Sequence, residues 1–206
     1  MRPIAVLSSV GFGLLVLLPV AAGLAADSPT VVTRQQWGAK PLTKEIPRHR
    51  PMRLTVHHTA TTAKPGASLQ SKLRSLQAFS QSDSKLADGR TKKAWGDLPY
   101  HFYIDVNGMV GEGRAVELVG DTNTKYDPTG HISVVLEGNF ERETPTAAQI
   151  DALVALLAAL AERYAIDIES IGAHKQFAQT ACPGKNLLAL LPSIVAAVSK
   201  QRAQAR

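Results

Sequence analysis

Ten residues near the middle of the chain, His131 to Phe140 (HISVVLEGNF), limit the fold more than any other stretch. Ile132, Val134, Val135 and Leu136 form a nearly continuous apolar run, the pattern of a strand covered on both faces rather than one alternating between core and water. A strand of that kind needs a layer on each side of its sheet, and helix-period segments are available to supply them. In ETPTAAQIDALVALLAALAERYAI, Thr144 reads as a cap and Pro145 as a first-turn residue, with Ile150, Leu153, Val154, Leu157 and Leu160 down one face. SLQSKLRSLQAFSQS repeats the pattern with Leu69, Leu73, Leu76 and Phe79. A closing helix follows in LLALLPSIVAAVS, which Pro192 either starts or kinks. MRLTVHHTAT alternates like a strand, with Leu54 and Val56 facing one way and Thr55 and His57 the other. In YHFYIDVNGMVGEGR, Asn107-Gly108 supplies the positive φ angles of a tight hairpin. Strands interleaved with long helices make an α/β domain, a central mixed β-sheet flanked by helices, mixed because the hairpin pairs two strands antiparallel. Residues 27–53 read as an irregular lead-in, and SKQRAQAR at the end as a frayed basic tail.

The first 26 residues read as a separate unit. Arg2 precedes an apolar run from about Val10 to Leu18 and small residues ending in Gly23-Leu24-Ala25-Ala26, the layout of a secretory signal cut after Ala25 or Ala26. Gly11, Gly13 and Pro19 interrupt the run, whereas a spanning helix wants roughly 20 apolar residues, so no stable membrane insertion is expected after cleavage. Residues 27–206 then form one domain, its core at about 31–195. With a single cysteine, such an exported chain has no internal disulfide: Cys182 is free, paired to another chain, or bound to something. The formal net charge of +6 suits an anionic partner such as a cell-wall polymer or membrane surface, and equally a soluble surface that happens to be basic.

Cys182 lies eight residues after His174, in AHKQFAQTACPG, too far apart for two ligands on one helix turn. A metal site there needs a further ligand from the fold. His57, on the polar face at the C-terminal end of its strand, stands where α/β proteins place their sites. Two imidazoles and a thiolate suit Zn2+, and three protein ligands leave a fourth tetrahedral position open. The residues alone leave the alternative of a buried thiol and two unrelated histidines.

Five blocks in order, TRQQWGA (33–39), VHHTAT (56–61), WGDLPYHFYIDVNGMVGEGR (95–114), ISVVLEGNF (132–140) and AHKQFAQTACPG (173–184), resemble the family of peptidoglycan recognition proteins and phage-lysozyme type zinc amidases. The resemblance covers about residues 31–195. It implies an N-acetylmuramoyl-L-alanine amidase fold with a zinc cleft above the sheet, zinc on His57, His174 and Cys182, Tyr100 assisting the attacking water or the oxyanion, and Thr180 contacting the substrate carbonyl. Peptidoglycan or muropeptides are the implied partners, with no nucleic acid, acted on by a monomer in the periplasm or outside a bacterial cell. The competing classes are a non-catalytic muropeptide-binding module and a zinc peptidase cutting within the stem peptide. Neither Glu112 nor Glu137 falls where the family's pattern would put a base, which leaves Tyr100 or the metal itself. Many relatives follow the second ligand histidine with Arg-Asp; this chain has Lys175-Gln176, which leaves the partner of the His174 ring open. His58 and His101 read either as groups beside the site or as core histidines, and His131 as unrelated to it. Trp37 and Trp95 read as packing residues before sugar platforms, and Arg114 as a surface ion pair before a carboxylate binder.

Overall fold

The computed structural model describes residues 29–86 and 88–204, so the expected signal segment lies outside the described residues. Among the described residues are eight strands and four α-helices: β1 (Val31–Val32), α1 (Arg34–Trp37), β2 (Arg53–His58), α2 (Leu69–Ser80), β3 (Ser84–Lys85), β4 (Thr91–Lys92), β5 (Phe102–Ile104), β6 (Val110–Glu112), β7 (His131–Leu136), α3 (Ala147–Arg163), β8 (Ile171–Ala173) and α4 (Lys185–Gln204). Six strands form one sheet in the order β1-β6-β5-β7-β2-β8, and β3-β4 is a separate hairpin. All neighbours in the main sheet are parallel except β5 and β6. The sheet is therefore mixed, as the hairpin requires.

The two faces of this sheet are treated differently, and the difference creates the cleft. Leu54, Val56, Ile132, Val134, Leu136 and Ile104 point to one side, where α3 and α4 cover them with Leu153, Leu157, Leu187, Ile194 and others. On the opposite side, Tyr103 and Val135 pack with Leu69 and Leu73 of α2 and with Trp37 of α1. That second layer covers the β5-β6 half. Over β2 and β7 the same face carries Thr55, His57 and Ser133, polar side chains that a third apolar helix would strand without partners. Every residue of β7 is buried, as a two-sided apolar strand should be.

Several local expectations are corrected. The cap of α3 is Thr146, not Thr144: its hydroxyl accepts the Gln149 N–H, and the Gln149 side chain returns to the Thr146 N–H, a reciprocal pair that fixes the start two residues later. The same device at Thr33 and Gln36 starts α1, so the lead-in is not wholly irregular. Of the α2 stripe, Phe79 is exposed because the helix turns Gln77 and Ser80 inward at its end. In the hairpin only Gly108 has a positive φ, +79°; the Asp105 carboxylate accepts the Asn107 and Met109 amides and makes a wider turn. Pro192 lies within α4 and does not start it. The helix runs on through most of the basic tail, held there by buried Val198 and by Arg202 donating to the Ile166 carbonyl at 3.3 Å.

Candidate functional site

Register brings the first two candidate ligands together. Val56 of β2 pairs with Ala173 of β8, so His57 and His174, the next residue of each chain segment, stand side by side with ring centroids 4.7 Å apart. Cys182 arrives on the loop after His174. Its Sγ accepts the His58 N–H at 3.4 Å and lies 3.7 Å from His57 Nδ1. The loop can approach this closely because of Gly184: φ is +89°, and a Cβ there would fall 2.4 Å from the Phe140 carbonyl carbon. One ligating atom from each of His57, His174 and Cys182 lies within 4.8 Å of the other two, and all three residues are buried.

The donor set fits zinc. A tetrahedral zinc with Zn–S about 2.3 Å and Zn–N about 2.0 Å holds sulfur and nitrogen about 3.5 Å apart, and His57 Nδ1 and Cys182 Sγ are 3.7 Å apart. His57 also differs from histidines that have structural work. His101 bonds Leu118 O through Nε2 and the Ser133 N–H through Nδ1, and His49 is engaged at both nitrogens by Val116 O and the Gly130 N–H. Among the described residues, His57 Nε2 has no partner and Nδ1 meets only the thiol. Burial, and then the charge His174 would carry, drive the His57 pKa well down; burial brings that of His174 to about 4. Both imidazoles are neutral at pH 7, with lone pairs available to a cation. Burial pushes the Cys182 thiol up to about 12, so metal uptake must displace its proton.

The three residues open into a cleft of about 260 Å3 that Tyr100, Thr180 and Trp95 also line. The Tyr100 ring is 5.2 Å from that of His57. Its hydroxyl is held above the ordinary tyrosine pKa, first by burial and then by the neighbouring Cys182 and Tyr126. Thr180 Oγ1 accepts the Cys182 N–H at 3.2 Å, which leaves its own proton free for the cleft. The cleft shares Asn123 and Thr124 with a neighbouring groove of about 670 Å3 that carries Arg90, Lys125 and Lys175.

The other residues singled out from sequence separate cleanly. Glu112 accepts the Arg34 amide, and Glu137 is paired with Lys72, so neither faces the cleft. His58 points to the apolar side, where Nδ1 accepts the Phe140 N–H at 3.2 Å. His101 is a structural histidine, and His131 is bonded to Thr55 Oγ1 at 2.8 Å. Trp37 is fully buried and donates to Glu112 O. Trp95, by contrast, is not a core residue: it lines the cleft, with the Lys92 ammonium 4.6 Å from its ring centroid. Arg114 is not a surface residue: fully buried, it donates to Val119 O and to the Asp121 carboxylate. Two neighbours of His174 went unread in the sequence. Thr124 Oγ1 is 2.7 Å from His174 Nε2, and the Tyr126 ring lies 5.0 Å from that of His174. They sit in DTNTKYDPTG, a polar loop with no periodicity to point at them.

Residues 47–185 match the family model for N-acetylmuramoyl-L-alanine amidase. The chain belongs to this amidase family. All three candidate ligands, Tyr100 and Thr180 lie inside the matched span. The mouse (Mus musculus) N-acetylmuramoyl-L-alanine amidase is 31% identical over 171 residues, covering 79% of this chain but 30% of that protein, so the chain spans less than a third of that relative's length. The crystal structure of Drosophila peptidoglycan-recognition protein SD superposes with a TM-score of 0.68 at 30% identity, covering 79% of this chain and 92% of the other. A variant of Drosophila peptidoglycan-recognition protein LB, solved in complex with tracheal cytotoxin, gives a TM-score of 0.65 at 26% identity over 79% and 93% of the two chains. The amidase family thus includes relatives named for hydrolysis and relatives named for recognition, on one mixed sheet with flanking helices. No helix among the described residues is long and apolar enough to cross a membrane.

Proposed function

We propose that this chain is a zinc-dependent N-acetylmuramoyl-L-alanine amidase, hydrolysing the amide between the lactyl group of N-acetylmuramic acid and L-alanine of the stem peptide in peptidoglycan or muropeptides. The observation that carries the proposal is a buried His57–His174–Cys182 set whose ligand atoms converge within 4.8 Å, opening onto a cleft that Tyr100 and Thr180 also line. A pure recognition surface has no need of three convergent ligand atoms. When bound, zinc supplies Lewis acidity, making water a nucleophile near neutral pH and polarising the scissile carbonyl.

The chain's own residues supply the rest. His57 and His174, kept neutral by burial, and the Cys182 thiolate hold the ion. Tyr100 keeps its proton at neutral pH, so it serves as a hydrogen-bond donor to the developing oxyanion and not as the base. Thr180, its oxygen already occupied by the Cys182 amide, donates to the substrate carbonyl. Trp95 gives the cleft an apolar wall, and Arg90, Lys125 and Lys175 in the adjoining groove offer cationic partners to the carboxylates of a stem peptide. The enzyme acts in the periplasm or outside the cell, where its polymer substrate is.

The test is digestion of purified peptidoglycan with and without chelator, with products identified by mass. Free stem peptides beginning with L-alanine, lost with chelator and restored by Zn2+, are expected. Tight muropeptide binding without release would instead place the chain with the recognition proteins, the reading favoured by relatives such as protein SD. Cleavage inside the stem would make it a peptidase.

A further inference from the structure

We infer that Thr124 is the positioning residue of His174: its hydroxyl accepts the Nε2 proton of the ring and so reserves Nδ1 for the metal. The inference rests on the zinc reading above and names a residue for which the sequence offered no signal. A neutral imidazole has one N–H and one lone pair, and a metal takes the lone pair, so the opposite nitrogen must carry the proton and needs an acceptor. Thr124 Oγ1 stands 2.7 Å from His174 Nε2, the ring's hydrogen-bond partner among the described residues. The Thr124 proton also has a destination. Thr122 Oγ1 lies 2.7 Å from Thr124 Oγ1 and accepts the Thr124 N–H at 3.0 Å. With the ring proton on Nε2, donation can run from His174 to Thr124 to Thr122, away from the ligand set.

The two residues after the ligand leave this role vacant. Gln176 Oε1 is spent on the Ala173 N–H at 2.7 Å, and the Lys175 side chain is exposed. The threonine loop, in turn, is anchored on both flanks. Fully buried Arg114 holds Val119 O and the Asp121 carboxylate on one side, and Arg90 donates to Asn123 O at 3.2 Å on the other. A hydroxyl on a tethered loop fixes ring orientation in a way a solvent molecule does not.

Zinc affinity, measured by competition with a chromophoric chelator, separates the wild type, Thr124→Val and Thr124→Ser. Outer partners of metal-bound histidines typically contribute about 10–100-fold in affinity. Thr124→Val, which keeps the shape but not the hydroxyl, should weaken zinc by that factor, and Thr124→Ser should restore it. Long-range proton–nitrogen spectra of the zinc-loaded wild type should place the His174 proton on Nε2 and the metal on Nδ1. A valine variant that binds zinc as tightly as wild type, or a metal on Nε2, overturns the inference. If the valine variant does not fold, the wild-type spectra decide. A wild type that takes up no zinc sinks the zinc reading itself, and is recognised before any variant is compared.

Discussion

Two groups of buried ionisable side chains sit at the same edge of the sheet, beyond the C-terminal ends of its parallel strands, and they are built on opposite plans. In one, Lys72 of α2 reaches Glu137 at 2.8 Å and Asp105 at 3.3 Å, just past β7 and β5. Glu137 also accepts the Lys64 and Val106 amides, and Asp105 those of Asn107 and Met109. Each carboxylate oxygen has a protein partner. In the other, at the C-terminal ends of β2 and β8, His57, His174 and Cys182 converge, with His57 Nε2 unpaired among the described residues and a thiol that burial keeps protonated. Buried polar groups are ordinarily satisfied, because an orphan costs about 1–3 kcal/mol. A closed cluster is architecture, joining α2 to the sheet; an open one is a place for something the chain does not itself provide.

The comparison breaks most sharply at Cys182. Cys182→Ala should remove zinc retention and bring amide hydrolysis below detection, while circular dichroism and the unfolding midpoint of the metal-free protein stay close to wild type, since the thiol holds no part of the core together. Activity that survives this change and metal stripping would falsify the metal assignment. Lys72→Met should do the reverse. It leaves two buried carboxylates without their cation, and removing one partner of a buried pair costs about 3–5 kcal/mol. Denaturant unfolding should show that loss, with one zinc per folded chain still bound. A Lys72→Met protein of unchanged stability would mean that the backbone amides alone satisfy Asp105 and Glu137.

This contrast also marks what the sequence could express. The α/β class and the strands around the site were legible because β7 carries a continuous apolar run, β2 alternates apolar and polar residues, and α2 and α3 repeat apolar residues at the helical period. The three candidate ligands, which the structure brings within 4.8 Å of one another, could be named because they belong to blocks whose order and spacing resemble the family's. Thr124 and Tyr126 were not, since a loop residue is placed by anchors distant in sequence, Arg90 and Arg114, that leave no period. Arg114 looked like a surface arginine because sequence does not reveal that Asp97 and Asp121 fold around it. Trp95 looked like core, as tryptophans usually are, because the sequence does not reveal that the fold leaves it lining the cleft beside the Lys92 ammonium.

Tyr100 tests whether the open cluster works alone. Tyr100→Phe should keep zinc but lower turnover by at least about tenfold, toward the ~10²–10³ typical of a lost oxyanion donor. A rate unchanged within error would reduce Tyr100 to a packing partner of the His57 ring.

The smallest effect separates the clusters by pH. Burial holds the folded pKa of His101 at about 3 and, with the Arg53 charge second, that of His131 at about 4, against about 6.5 in an unfolded chain. Below pH 6.5 the unfolded state binds protons that the folded state refuses, so stability falls as the pH drops from 6.5 toward 4 and is level above about 7. For His101 the cause is concrete: a second ring proton would land on Nδ1, which is already accepting the Ser133 N–H. Thermal unfolding of the metal-free protein should therefore lose several degrees across that window. The Lys72 cluster contains no histidine, so Lys72→Met should lower the curve while keeping its fall below pH 6.5. A variant that loses this fall would show that the closed cluster, and not His101 and His131, sets the acid limit of the fold.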